Sequence, residues 1–179
     1  MKVDMLLSGA GGQGLMSLGK LIASVAVAEG KFAAYLPSYG PEVRGGTAYC
    51  FVKISDTPIP SPLVETPDVA ILLNQQSVDK FKKIITKKCI LILNSDLTAN
   101  KPLLPAAKVF YLPLNKIALE CGNIKCANMV ALGALINFKP DILRRKGIIN
   151  FLQEIFGTNS LLIDTNIKAL TKGEEAAKS

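Results

Sequence analysis

Ser8-Gly9-Ala10-Gly11-Gly12-Gln13-Gly14 is the stretch on which the fold turns. A short apolar run, Val3–Leu7, precedes it and predicts a strand buried on both faces, with Asp4 as the exception. An amphipathic segment, Leu15–Ala28, follows it; Leu15, Leu18, Ile22 and Val25 share the face of a helix packed on a sheet. Gly9, Gly11, Gly12 and Gly14 remove the Cβ atoms that would hold a ligand or a neighbouring chain away from the backbone. The helix then points its free N–H groups and positive dipole end at the same spot. A strand, a glycine turn and a helix in that order make an anion cradle and the start of an α/β fold.

The pattern continues outward from the turn. Gly30 ends the first helix, and Phe32–Leu36 reads as a short second strand. Pro37–Gly46 holds two prolines and three glycines and predicts irregular backbone. Thr47–Ile54 is strand-like, and Pro58, Pro60, Pro62 and Pro67 mark an extended connection after it. Val69–Leu73, Cys89–Leu93 and Val109–Leu112 are further apolar strands. Asn74 with Ser77 opens a helix at Val78–Ile85, and Asn94-Ser95-Asp96 is a turn. Beyond Pro113 the chain turns helical, with Asn128–Phe138, then Asp141–Phe156 stopped by Gly157, then part of Asn159–Ala177. The expectation is one α/β domain over residues 1–179, a three-layer αβα sandwich. Its sheet is mixed but mostly parallel, because Thr47–Ile54 breaks the parallel order.

Composition narrows the chemistry. A chain of 179 residues, 49% apolar, builds a real core, and no run approaches the roughly 20 apolar residues of a spanning helix. The first residues lack a signal-peptide layout, so a cytoplasmic location is expected, with no membrane partner. Cys50, Cys89, Cys121 and Cys126 form no C-x-x-C pair and read as ordinary, mostly buried thiols, with no metal site. Histidine is absent, which excludes histidine-based triads and zincin-type sites. The net charge of +7 raises the possibility of a nucleic-acid module. Its densest clusters, Lys80–Lys88 and Arg144–Lys146, lie in helix-like segments with few aromatics and no recognition pattern. They read as solvated faces or a contact for an acidic partner, and no nucleic-acid partner is expected.

Gly9, Gly11 and Gly14 also satisfy G-x-G-x-x-G, the dinucleotide fingerprint. That site needs a carboxylate about 20 residues further on, at the end of the second strand. Tyr35-Leu36-Pro37-Ser38 carries none; Glu29 lies before the strand and Glu42 well beyond it. An independent nucleotide-dependent enzyme is thus the alternative with half its signature missing. The glycines could also serve only to pack helix on strand. Gly12 and the Gln13 amide argue for something approaching the turn, and a partner's backbone would serve as well as a nucleotide.

Pro37-Ser38-Tyr39-Gly40-Pro41-Glu42-Val43-Arg44-Gly45-Gly46 is the second unusual stretch. If the second strand runs parallel to the first, this loop leaves the sheet at the edge that carries the glycine turn, where open α/β sheets bind ligands. Together the two stretches resemble the gamma subunit of 2-oxoacid:ferredoxin oxidoreductases, and the gamma domain of pyruvate:ferredoxin oxidoreductase. The likeness continues through Ile54-Ser55, Pro58-Ile59, Ser61-Pro62, Pro67-Asp68 and Asn128–Leu135 to Asn166. The Ser-Tyr-Gly-Pro-Glu-Val-Arg-Gly-Gly loop is most similar to the 2-oxoglutarate type, with branched-chain and pyruvate types as alternatives.

The resemblance implies a Rossmann-like first half and an accessory role in a multi-subunit enzyme. That enzyme oxidatively decarboxylates a 2-oxoacid to an acyl-coenzyme A and CO2 and reduces ferredoxin. Thiamine diphosphate, Mg2+ and 4Fe–4S clusters would sit on other subunits, with none bound by this chain alone and coenzyme A as substrate. Partners would be alpha and beta subunits, a ferredoxin-like delta subunit where one exists, and ferredoxin through the complex. No catalytic residue is expected here. Gly9, Gly11, Gly12, Gln13 and Gly14 would form a backbone-lined surface, joined by Ser38, Tyr39, Gly40, Glu42, Arg44, Gly45 and Gly46. Arg44 would contact a neighbouring carboxylate or a coenzyme A phosphate, Glu42 would orient it, and Tyr39 would pack at the interface.

Overall fold

The computed structural model describes residues 1–38, 47–99 and 102–178. Six strands form one sheet: β1 (Lys2–Ala10), β2 (Phe32–Ser38), β3 (Thr47–Ser55), β4 (Val69–Leu72), β5 (Ile90–Asn94) and β6 (Lys108–Leu112). Their spatial order is β2-β3-β1-β4-β5-β6. β3 runs antiparallel to both β1 and β2, whereas β1, β4, β5 and β6 are mutually parallel. The mixed, mostly parallel sheet is therefore as expected. β1 is longer than its apolar run because all nine residues pair with β3, from Lys2 opposite Ser55 to Ala10 opposite Thr47. Asp4, the exception in the strand, is answered by Lys53 directly across, 3.3 Å away.

Period-2 alternation sends side chains to two cores. Met5, Leu7, Val52, Ile54, Ile71 and Ile92 face the larger one. Helices α1 (Leu15–Ala28), α3 (Leu114–Glu120), α4 (Ala127–Phe138), α5 (Arg145–Phe156) and α6 (Ser160–Ala176) contribute to it. Leu6, Ala70, Leu72, Leu91 and Leu93 face the smaller one, closed by Val78 and Phe81 of α2 (Gln75–Phe81) and by Ile85. The three layers are thus unequal. α4 is buried almost all round because it lies beneath other helices as well as on the sheet.

Three helical segments depart from expectation, two of them through contacts distant in sequence. α2 starts at Gln75, not Val78; Asn74 caps it, its Oδ1 accepting from the Ser77 N–H at 2.9 Å, and it tightens to a 3-10 turn at Lys82–Ile84. α3 was not anticipated as a separate helix. The Asp96 carboxylate, nineteen residues upstream, accepts from the Asn115 and Lys116 N–H groups (2.8 and 3.0 Å) and caps it. α5 starts at Arg145, not Asp141. Lys31 Nζ donates to the Asp141 and Ile142 carbonyls (2.8 Å each), and Glu29 Oε1 accepts from the Arg144 N–H, so 141–144 is drawn off the helix path.

Candidate functional site: the glycine turn at the carboxyl edge of the sheet

The glycine turn joins β1 to α1 at the carboxyl edge. Gln13 braces it from within: its N–H donates to the Ala10 carbonyl (3.3 Å) and its Oε1 accepts from the Ala10 N–H (2.6 Å). The Gln13 acceptor that suggested an approaching partner is therefore spent on the turn itself. Gly9 must be glycine for packing, since a Cβ there would collide with Gln13 Oε1 and lie 2.8 Å from Leu15 Cδ1. Gly11 and Gly12 are different. Both are exposed, and a Cβ at either would meet only open space. Gly14 begins α1 at φ +72°, where its carbonyl accepts from Asn128 Nδ2 at 3.0 Å and from the Leu18 N–H at 2.9 Å. No side chain caps α1 and no carboxylate stands in its first turn, so the helix dipole faces the turn uncompensated.

The structure adds a second wall that the motif search missed. Ser8 Oγ donates to Ser77 Oγ (3.0 Å), and Ser77 Oγ donates to Asn74 Oδ1 (2.6 Å). Ser8 and Ser77 are both fully buried, and the Ser8 carbonyl accepts from the Leu73 N–H (2.9 Å). This chain of hydroxyls fastens the glycine turn to the start of α2. α1 packs on one face and leads to β2; α2 packs on the other and leads to β5. The carboxyl ends of β1 and β4 thus flank a reversal of strand order, where open α/β sheets leave a ligand crevice. In sequence, the only cue to this wall was the Asn74–Ser77 helix start.

β2 runs parallel in direction to β1, since both oppose β3. Its last residue, Ser38, pairs with Tyr49, and Thr47 pairs with Ala10. The ends of the second loop are accordingly held beside the glycine turn. Tyr39, Gly40, Glu42, Arg44, Gly45 and Gly46 lie outside the described residues. Glu29, one of the two carboxylates nearest a dinucleotide's needs in sequence, sits at the far end of α1. There it binds the Arg144 N–H and lies 3.6 Å from Lys31 Nζ.

The four cysteines do not fit an iron–sulfur cluster or metal. Cys50 packs in the larger core and Cys89 in the smaller, on opposite sides of the sheet. Burial pushes both thiols up to about 12, and it raises Cys121 and Cys126 as well. Thiols so protonated make poor ligands. Among the described residues no three His, Cys, Asp or Glu side chains gather as a metal site, and no helix is long and apolar enough to cross a membrane. The basic clusters are less purely solvated than expected. Lys80 lies over the Tyr49 ring at 4.6 Å, and Arg145 binds Glu174 (3.2 Å) and the Thr171 hydroxyl (2.8 Å).

Residues 4–176 match the family described as pyruvate ferredoxin/flavodoxin oxidoreductase. The chain belongs to that family. It is 34% identical to the 2-oxoglutarate synthase subunit KorC of Methanocaldococcus jannaschii, over 99% of this chain and 95% of the relative. It is 33% identical to the ketoisovalerate oxidoreductase subunit VorA of Methanothermobacter thermautotrophicus over 99% of this chain, which spans only 37% of that relative's length. Among solved structures it resembles the keto/oxoacid ferredoxin oxidoreductase gamma subunit of Geobacter sulfurreducens. The TM-score there is 0.84 and the identity 29%, with 98% of each chain covered. The family inferred from the two glycine-rich stretches is the family found.

Proposed function

We propose that the chain serves as the gamma component of a multi-subunit 2-oxoacid:ferredoxin oxidoreductase, converting a 2-oxoacid and coenzyme A to acyl-coenzyme A and CO2 with reduction of ferredoxin. One observation carries this: near end-to-end correspondence to the KorC and gamma-subunit relatives. Thiamine diphosphate, when bound by companion chains, supplies the carbanion chemistry of decarboxylation, and iron–sulfur clusters there take the electrons. Among the described residues, the hydroxyls nearest the crevice, Ser8 and Ser77, are engaged in the buried chain that fastens the turn to α2. This chain's part is to present a close, cationic-leaning edge: open backbone at Gly11 and Gly12, the uncapped start of α1, and Arg44 on the neighbouring loop. Gly9, Gln13 and Gly14 shape that edge, and Ser38, Tyr39, Gly40, Glu42, Gly45 and Gly46 flank Arg44 in the sequence. The occupant is a companion subunit or coenzyme A presented by one.

For the substrate, the Ser38–Gly46 sequence and the KorC relative support 2-oxoglutarate. The VorA relative supports a branched-chain 2-oxoacid as the second reading. Gentle affinity isolation of the tagged chain from its own host tests the assignment. A brown assembly with larger partner chains, thiamine diphosphate and coenzyme A-dependent ferredoxin reduction is expected, with 2-oxoglutarate turned over faster than 2-oxoisovalerate. A colourless monomer that binds a nicotinamide cofactor would overturn it. In the same assembly Arg44→Ala is expected to raise the KM for coenzyme A or weaken subunit association. Intact assembly with unchanged KM and turnover removes Arg44 from the site.

A further inference from the structure

Beside the glycine turn a groove of about 330 Å³ opens between α1, α4, α5 and α6. Leu18, Leu21, Met129 and Leu152 make a buried apolar floor, and Ile155 stands on its rim 57% exposed. Four polar side chains also line it: Ser17, Lys20, Asn128 and Asn166. Asn128 Nδ2 donates to the Gly14 carbonyl (3.0 Å) and Asn166 Nδ2 donates to the Leu162 carbonyl (2.8 Å). A carbonyl can only accept, so both amides are held with nitrogen toward the protein, and each Oδ1 is left as an acceptor without a partner among the described residues. Lys20, exposed, has no carboxylate partner there.

The groove therefore asks for N–H donors, an aliphatic body and an anion in one occupant. An extended peptide answers all three: backbone amides for the Asn128 and Asn166 acceptors, a branched side chain for the floor, a carboxylate for Lys20. A hydrocarbon chain would leave the two acceptors unmatched, and a phosphodiester strand would set its oxygens against them. Asn128 both lines the groove and donates to the Gly14 carbonyl, so the groove adjoins the end of the glycine turn. The chain's charge of +7 favours an acidic segment.

We infer that this groove docks an extended, aliphatic and acidic segment of a companion chain of the oxidoreductase, an inference that rests on the gamma-component proposal. The test is photo-crosslinking in the assembly isolated through a tag on this chain, with p-benzoylphenylalanine replacing Ile155 or, separately, Ser17. Both positions are exposed, and melting curves check that each variant folds. From both positions the crosslink is expected to fall on one companion-chain peptide bearing Asp or Glu beside Val, Ile or Leu. Lys20→Glu should lower its yield about five-fold or more while Lys20→Arg preserves it. If companions co-purify but the crosslink goes to a second copy of this chain, to a small molecule or to nothing, the docking inference fails and the gamma-component proposal stands. If no companion co-purifies, both fall.

Discussion

At the scale of single residues, the four glycines of one turn are glycine on different grounds; Gly12, like Gly14, sits at positive φ (+87°). Gly9 is required by packing, Gly14 by its φ of +72° and by Asn128 Nδ2, which a Cβ would meet at 2.5 Å, and Gly11 by neither. Gly14→Ala is expected to destabilise the chain by about 2–3 kcal/mol in urea melts, from the left-handed backbone and the collision together. Gly11→Ala should leave the melt within about 0.5 kcal/mol of the parent, since the added methyl meets nothing. In the assembly the same Gly11→Ala methyl stands on the open edge. There it should weaken companion-chain retention or raise the KM for coenzyme A. A variant that folds, assembles and turns over like the parent would show that nothing approaches Gly11.

Among the elements, α4 and α6 cross in the larger core with backbone close against backbone. Gly133 and Gly173 face each other's helix backbone there. A Cβ on Gly133 would strike the Leu170 carbonyl oxygen, and one on Gly173 the Val130 carbonyl oxygen. Backbone atoms cannot swing aside as a side chain can, so either alanine must push the helices apart. Gly133→Ala or Gly173→Ala is expected to cost about 2–4 kcal/mol, read as a lowered Tm of the isolated chain. Both bear on the proposed docking groove, because α4 and α6 carry Asn128 and Asn166. Little of this crossing was legible in sequence. Periodicity marks a helix as apolar but does not say which neighbour lies on which side, and α4 is apolar all round.

For the whole molecule, a sheet covered on both faces buries Cys50 on one side and Cys89 on the other, and this sets an alkaline limit. Cys50 and Cys89 keep their protons up to about 12 when folded, against 9.0 for a free cysteine thiol in water. Above pH 9 the unfolded chain has released protons that the folded chain still holds. Stability contributed by these thiols is thus complete below pH 9 and is lost as pH rises toward 12. For Cys50 the slope approaches about 1.4 kcal/mol per pH unit. Urea melts from pH 8 to 11 should show the decline, and a Cys50→Ala, Cys89→Ala variant, less stable throughout, should decline less steeply. Iodoacetamide at pH 8 should label neither cysteine until denaturant is added.

The sequence by itself determined the class of fold and the edge where function gathers. Strand, glycine turn and helix are local: the spacing of Leu15, Leu18, Ile22 and Val25 suffices to place α1 from Leu15 to Ala28. Proline and glycine punctuation likewise separated Phe32–Leu36 from Thr47–Ile54, which became the antiparallel strands β2 and β3. Other features were decided only when distant residues met. Asp96 made α3 a helix, Lys31 and Glu29 delayed α5, and Ser77 tied the turn to α2. Gln13 shows the limit most plainly. Its identity suggested an outward contact, yet its acceptor turned inward to the Ala10 N–H, because a backbone donor at the carboxyl end of β1 needs a partner before any ligand arrives.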